Sequence, residues 1–271
     1  MDRGVWVVVC VLVLAAGCSG LAGEQSPTAT AVEPAPVPAD PPPGVSESGG
    51  VDSVALLSSH VDQLRDGSAT VTEHRVERFA NGSLRFDRTT TTYHGPVDRF
   101  YVVQTVEGTD PRAYGTTEGR YERWANGTLG VAAVRDGDGV SFEPAYPGQF
   151  RINNFERLYP LFTTLEPTVR EKRGEGVVFV ARATRERVPG GFAEDPVRNV
   201  HNVTFEATVT PGGLVRSYRL SYTGTVDGAT VHVTERLRYE DVAATDVPRP
   251  AWVEEAITDA LGGGPGGKVD P

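Results

Sequence analysis

From Val203 to Tyr239 apolar and polar side chains alternate with a period of two, and this stretch restricts the possible fold more than any other. Val203, Phe205, Ala207 and Val209 alternate with Thr204, Glu206 and Thr208. Tyr218, Leu220 and Tyr222 alternate with Arg219 and Ser221, and Val231, Val233, Leu237 and Tyr239 with His232, Thr234, Arg236 and Arg238. Pro211-Gly212-Gly213 and Asp227-Gly228 stand between the runs, residues that let the backbone turn back on itself. Alternation with such turns predicts an antiparallel meander with one apolar face and one wet face.

Upstream, Val54, Leu57, Val61 and Leu64 fall at helical spacing, with Asp52 or Ser53 as N-cap and Gly67 as the stop. His60 is expected on the polar side of that helix. Further on, Glu77-Arg78-Phe79-Ala80-Asn81-Gly82-Ser83-Leu84 is echoed by Glu122-Arg123-Trp124-Ala125-Asn126-Gly127-Thr128-Leu129. Asn-Gly between strand-like flanks predicts two tight type I′ hairpins, in which both central residues take positive φ. A single echo is hairpin construction used twice and not a repeat array.

Ile152, Phe155, Leu158, Tyr159, Phe162 and Leu165 form an apolar stripe in a segment that Pro160 should kink or split, because proline lacks the N–H a helix interior needs. The order is helix, strands, broken helix, strands. The expected fold class is therefore α+β: a curved antiparallel sheet, an open half-barrel, wrapped around an N-terminal helix and a broken central helix.

The N-terminus reads as a targeting segment. Arg3 precedes the apolar run Val5 to Ala16, which has the length of a signal-peptide core and falls short of the ~20 residues a spanning helix needs. The run closes on Ala15-Ala16-Gly17-Cys18, which resembles the lipobox of secreted lipoproteins, where the peptide is cut before the cysteine and the new N-terminal residue carries lipid. The alternative is an ordinary signal peptide, or an uncleaved anchor over residues 4–23, with Cys18 incidental. Residues 19–50 are rich in Pro, Ala, Ser, Thr and Glu and lack the apolar side chains that offset ordering entropy, so they read as an extended spacer. The expected organisation is a signal peptide over 1–17, a lipidated Cys18 and tether over 18–50, the half-barrel over 51–261 and a Gly-rich tail over 262–271. The expected location is the extracytoplasmic face of the membrane.

Composition and motif searches remove several function classes. With 36 acidic against 26 basic side chains the formal charge is −10, which argues against nucleic acid as partner. Both cysteines, Cys10 and Cys18, lie in the leader, so neither a disulfide framework nor a cysteine-ligated zinc site is available to the folded part. The five histidines are scattered and form no His-Glu-x-x-His, so no metal or other cofactor is expected. Asp136-Gly137-Asp138-Gly139 opens like a calcium loop but lacks the closing ligands and reads as a hairpin tip. Gly-x-Ser-x-Gly is absent, no phosphate-cradling glycine loop precedes a helix, and no catalytic residue is assigned. Asn-x-Ser/Thr occurs at Asn81, Asn126 and Asn202, each a glycosylation candidate in an exported chain.

The order of elements resembles the open half-barrel of bacterial lipoprotein carriers of the Lol type and of mycobacterial glycolipid-binding lipoproteins. The lipobox, the spacer, the Asn-Gly hairpins and the ending Pro248-Arg249-Pro250-Ala251-Trp252-Val253-Glu254 look like haloarchaeal surface lipoproteins of unassigned function. An arginine-dominated basic set, with Lys only at 172 and 268, agrees with that resemblance, although a GC-rich genome alone has the same effect. The resemblance implies a monomeric, lipid-anchored carrier for an apolar or amphiphilic ligand. Phe155, Tyr159, Phe162, Phe205, Tyr218, Leu220 and Tyr222 are the candidates to line its cavity. The alternative is a structural or adhesion glycoprotein with a filled core. Cavity volume separates the two.

Overall fold

The computed structural model describes residues 40–65, 67–110, 118–137, 139–147, 152–172, 178–188 and 196–261. The leader, Cys18, most of the tether and the Gly-rich tail lie outside the described residues. Among the described residues three helices, α1 (Ser53–Leu64), α2 (Phe155–Leu165) and α3 (Val253–Leu261), accompany eleven strands. These are β1 (Ala69–Phe79), β2 (Leu84–His94), β3 (Arg99–Glu107), β4 (Gly119–Asn126), β5 (Gly130–Asp136), β6 (Gly139–Pro144), β7 (Thr168–Lys172), β8 (Val178–Arg187), β9 (Arg198–Val209), β10 (Val215–Val226) and β11 (Ala229–Glu240).

All eleven strands form one antiparallel sheet in the order β6-β5-β4-β3-β2-β1-β11-β10-β9-β8-β7. Two meanders are joined where the first strand pairs with the last, from Thr70 opposite Glu240 to Phe79 opposite Val231. The sheet is open, with β6 and β7 as its two edges. The connection between those strands must cross from one edge to the other, and α2 lies within it. This topology defines the half-barrel α+β class.

Register shows which face each helix covers. Val71, on the inner face beneath α1 and α2, pairs with Tyr239 and Thr92, and Tyr239 belongs to the same apolar cluster. Leu56 and Leu57 of α1 and Leu158, Leu161, Phe162 and Leu165 of α2 are buried against Val203, Phe205, Tyr218, Leu220, Val233 and Leu237. Each such side chain contributes roughly 1.5–3 kcal/mol by leaving water. The opposite face of β9 to β11 carries Glu206, Arg219 and Arg236 and is wet, as the alternation predicts.

In the N-terminal meander the arrangement reverses. Tyr93 pairs with Thr70, and therefore Tyr93, Tyr101 and Trp124 point to the outer face, where α3 packs Trp252, Val253 and Ala256 onto Tyr101, Trp124, Val131 and Ala133. A single wet face is thus not maintained across the sheet. The α3 helix was not anticipated, because its apolar residues stand behind Pro248 and Pro250 in what reads as a loop.

Four local expectations change. The buried stripe of α1 is Leu56, Leu57, His60 and Leu64, one position round from the predicted one, leaving Val54 61% exposed and His60 fully buried. Asp52 is the N-cap, its Oδ1 accepting from the backbone of Val54 and Ala55 at 3.0 and 3.1 Å. The α2 helix runs through Pro160 without interruption; the carbonyl that loses its bond belongs to Glu156, which faces solvent. At the two Asn-Gly hairpins only Gly82 and Gly127 take positive φ, so neither is type I′. Instead the Asn side chain closes an Asx turn, with Asn81 Oδ1 accepting from Ser83 N and Oγ, and Asn126 Oδ1 from Thr128 N and Oγ1. The folded body also begins before Val51, since the backbone N–H of Val169 donates to Gly49 and Val45 bridges Val51.

Candidate ligand groove

The inner face carries charge at its centre. In β1 the inward positions run Val71, Glu73, Arg75, Glu77, Phe79, and in β11 Glu235 takes the inward position between Val233 and Leu237. These residues form a ladder of alternating charge across the sheet. Arg157 of α2 donates Nε and Nη2 to Glu235 at 2.7 and 2.6 Å, and Arg75 Nη1 reaches the same carboxylate at 3.2 Å. Arg75 Nε continues to Glu77 at 2.9 Å, Arg85 joins Glu77, and Arg85 Nη2 ends the row on Asp110 at 2.7 Å. The hydroxyls of Tyr218 and Tyr222 close it, the first donating to Glu235 and the second accepting from Arg75.

Glu235 shows how the balance falls. Burial pushes its carboxyl up, but the charge and hydrogen bonds of Arg157, then Arg75 and the Tyr218 hydroxyl, outweigh burial and hold it down at about 2. The carboxylate is ionised in the interior because the guanidinium groups replace its water. Burial and the neighbouring carboxylate together push the Tyr218 hydroxyl well up, so it serves as a donor.

Two voids adjoin this ladder. One, of about 170 Å³, is lined for the most part by charged and polar side chains, Glu73, His74, Arg75, Arg88, Asn154, Arg157, Tyr218 and Glu235, with Leu237 beside them. The other, of about 680 Å³, is an open groove between α1 and the start of α2; Val54, Val61 and Phe155 supply its apolar wall, while Ser58, Asp62, Arg65, Asn153 and Glu156 supply polar groups. Asn154 and Arg157 belong to the walls of both. Asn154 takes a left-handed conformation at φ 46° and gives α2 no side-chain cap. Its amide instead reaches Glu73 at 3.0 Å and the Tyr239 hydroxyl at 3.3 Å.

The expected lining residues separate into two groups. Phe162, Phe205, Tyr218, Leu220 and Tyr222 are packed core, with Phe162 edge-on to Phe205 and Phe205 against Tyr218. The two helices fill the apolar concavity that these residues were expected to line. Tyr218 reaches the polar void and Phe155 the groove. Phe155 and Tyr159 stack on one another at 5.5 Å on the outer side of α2, 37% and 40% exposed. Charged residues in the inward phase of β1 and β11 were the available signal for the ladder.

His60 sits behind the groove. Its Nε2–H donates to the Asn153 carbonyl at 2.8 Å, and its Nδ1 accepts from the Val215 backbone at 3.3 Å, so one neutral ring joins α1, the turn into α2 and β10. Burial lowers its pKa to about 4, against the opposing effect of the Asn153 bond.

On the outer face Glu122 is the counterpart of Glu235. It accepts from the Tyr101 hydroxyl, from Arg120 at 3.1 Å, from Arg135 at 3.0 Å and from Nε1 of Trp252, which immediately precedes α3, at 3.3 Å. Burial raises its carboxyl, and these donors overcome it and bring it to about 2. Among the described residues no group of three or more His, Cys, Asp or Glu is placed to hold a metal ion, and no described helix is long and apolar enough to cross a membrane.

The fold and groove define the chain as an open half-barrel with its inner face plugged by two helices and a ligand-sized groove between them. The model of a family of unknown function, DUF7537, matches residues 176–256, less than a third of the chain. No curated protein matches. Among solved structures, a LolA superfamily protein from Nitrosomonas europaea is similar at 12% identity and TM-score 0.26, over 73% of this chain and 96% of that one. A putative outer membrane lipoprotein-sorting protein domain from Vibrio parahaemolyticus is similar at 8% identity and TM-score 0.26, over 76% and 99%. A DUF1329 family protein from Desulfovibrio piger follows at 10% identity and TM-score 0.24, over 74% and 95%. At such TM-scores the likeness carries no weight for function, and the functional reading rests on the groove.

Proposed function

We propose that this protein is a binding module for an amphiphile, held at the outer side of a membrane by a lipid on Cys18. The observation that carries the reading is the 680 Å³ groove between α1 and α2, whose wall is shared through Asn154 and Arg157 with a polar void. An apolar chain lies against Val54, Val61 and Phe155, and the polar end of the molecule turns toward Asn154 and Arg157. The groove volume falls in the range of small-molecule sites, roughly 300–1,000 Å³. The role is carriage or capture, with no chemistry assigned to the site.

The test is lipid extraction and mass spectrometry of the purified protein, together with uptake of a fluorescent fatty acid. Copurified amphiphile or saturable uptake is expected. If neither is seen, the reading fails. A second reading, an adhesion or structural lipoprotein acting through its outer surface, draws on the filled interior, where Leu56, Leu57, Leu158, Leu161 and Leu165 have no exposed area. That same negative result selects it.

A further inference from the structure

The three Asn-x-Ser/Thr sequences are chemically alike and structurally different. Asn81 lies in the β1–β2 hairpin loop and Asn126 ends β4 at the β4–β5 loop, and both are exposed. In each, the sequon hydroxyl donates to the side chain of its own asparagine, Ser83 Oγ to Asn81 Oδ1 at 2.7 Å and Thr128 Oγ1 to Asn126 Oδ1 at 3.0 Å. The carbonyl end of the amide is held by the turn, and the nitrogen end is presented to solvent.

Asn202 is exposed as well, at a φ of 52° where the register between β9 and β10 shifts, but it lies within β9, whose flanking residues are paired on both sides. His201 opposes Arg187 on β8 and Thr223 on β10, and Val203 opposes Arg185. Its sequon hydroxyl, Thr204 Oγ1, is engaged with Ser221 Oγ on β10 at 2.7 Å. To enter an enzyme cleft this segment must leave two strand ladders, whereas a hairpin tip enters as it stands.

We infer that Asn81 and Asn126 are N-glycosylated on the folded exported chain and that Asn202 is not. The donor class is an oligosaccharide linked to a polyprenyl phosphate. Asparagine Nδ2 forms a bond to the anomeric carbon as the bond from that carbon to the phosphate oxygen breaks. The lipid phosphate leaves with the electron pair, and the proton lost from the amide goes to solvent or base. Modification requires the outward location adopted above, so export is measured in parallel.

The experiment is glycopeptide mass spectrometry on full-length protein purified from the membranes of its own host, with accessibility to added protease on intact cells measured alongside. A glycan mass is expected on the Asn81 and Asn126 peptides and none on the Asn202 peptide. Asn81→Gln and Asn126→Gln each remove one increment, Ser83→Ala and Thr128→Ala remove the same increments with the asparagine kept, and Asn202→Gln changes nothing. An exported chain bare at both tips, or one occupied at Asn202 as fully as at either tip, overturns the inference alone. A chain that is not exported overturns it together with the location.

Discussion

Arg157 grips Glu235 with two parallel hydrogen bonds of 2.7 and 2.6 Å, fastening α2 to β11 across the inner face of the sheet. A forked guanidinium–carboxylate pair of this kind gives direction as well as attraction. It sets the rotation of α2, and with it the position of Phe155 and Asn154 at the groove.

Arg157→Met removes the fork and leaves the nearly buried Glu235 with Arg75 and Tyr218 as its remaining partners. Breaking one side of a buried pair typically costs on the order of 3 kcal/mol. Urea unfolding at neutral pH is expected to show that loss, and thermal melting a fall of roughly 6–12 °C for a body of this size. Glu235→Gln leaves two guanidinium groups facing a neutral amide and is expected to cost at least as much. A stability unchanged in both variants rules out the ladder as a structural element.

Acid sensitivity is expected in two windows. His60 has its pKa lowered to about 4 in the folded protein against 6.5 ordinarily, so between those values the unfolded chain binds the extra proton. Stability therefore falls as pH drops from about 6.5 to 4, by about 3 kcal/mol for that difference. Glu235 and Glu122, both at about 2 when folded, add a second loss between about 4.5 and 2 as they take up protons. Denaturant midpoints measured at half-unit pH steps resolve the windows, and His60→Gln is expected to flatten the upper one while leaving the lower.

The strands of the second meander, a cap at Asp52 or Ser53 and the helical character of residues 155–165, though not its passage through Pro160, were legible, because each rests on a local rule of alternation, capping or spacing. The ladder was not. Glu73, Arg75, Glu77 and Glu235 occupy inward positions where a reader of alternation expects apolar side chains, and their partners come from several elements: Glu235 meets Arg75 only through the pairing of β1 with β11, 160 residues apart in sequence, and Arg157 only through the docking of α2. His60 was misplaced for a related reason. A polar residue is assigned to the wet side of a helix unless its partners, here the Asn153 carbonyl and the Val215 amide, are already known. The groove residues Val54 and Val61 were read as buried stripe because a rotation of one position about α1 is invisible without the sheet beneath it.

Trp252 holds α3 on the outer face, stacked on Phe142 at 6.2 Å and donating to Glu122. Trp252→Ala removes both contacts and is expected to cost about 3–5 kcal/mol, the usual range for deleting a buried tryptophan. The loss is local, because the α3 cluster lies on the outer face of β3 to β6 while α1 and α2 lie on the other face. Hydrogen exchange is expected to speed up through α3 and residues 130–144 with the amides of β9 to β11 still protected. Uniform loss of protection across the sheet would show that the two faces unfold as one unit.

The groove makes a sharper demand on mutagenesis than the core does, because its apolar wall is already in water. Val54 is 61% exposed, so Val54→Asp removes little buried area, whereas Phe155, 37% exposed and stacked on Tyr159, gives up more when it is replaced by Asp. Val54→Asp is expected to shift stability by no more than about 1 kcal/mol and Phe155→Asp by about 2 kcal/mol. A carboxylate in the path of an apolar chain, by contrast, must be desolvated when the ligand enters, a cost that can exceed 2 kcal/mol. Fatty-acid uptake by the double variant is therefore expected to fall by at least tenfold while its melting temperature drops by no more than roughly 6–12 °C and the protein stays folded at the assay temperature. Phe162→Leu, a change in packed core away from the groove wall, is expected to do the reverse, lowering stability and sparing uptake. Should the core substitution abolish uptake and the groove pair leave it intact, the ligand enters the interior after all, and the space between α1 and α2 is only a surface furrow.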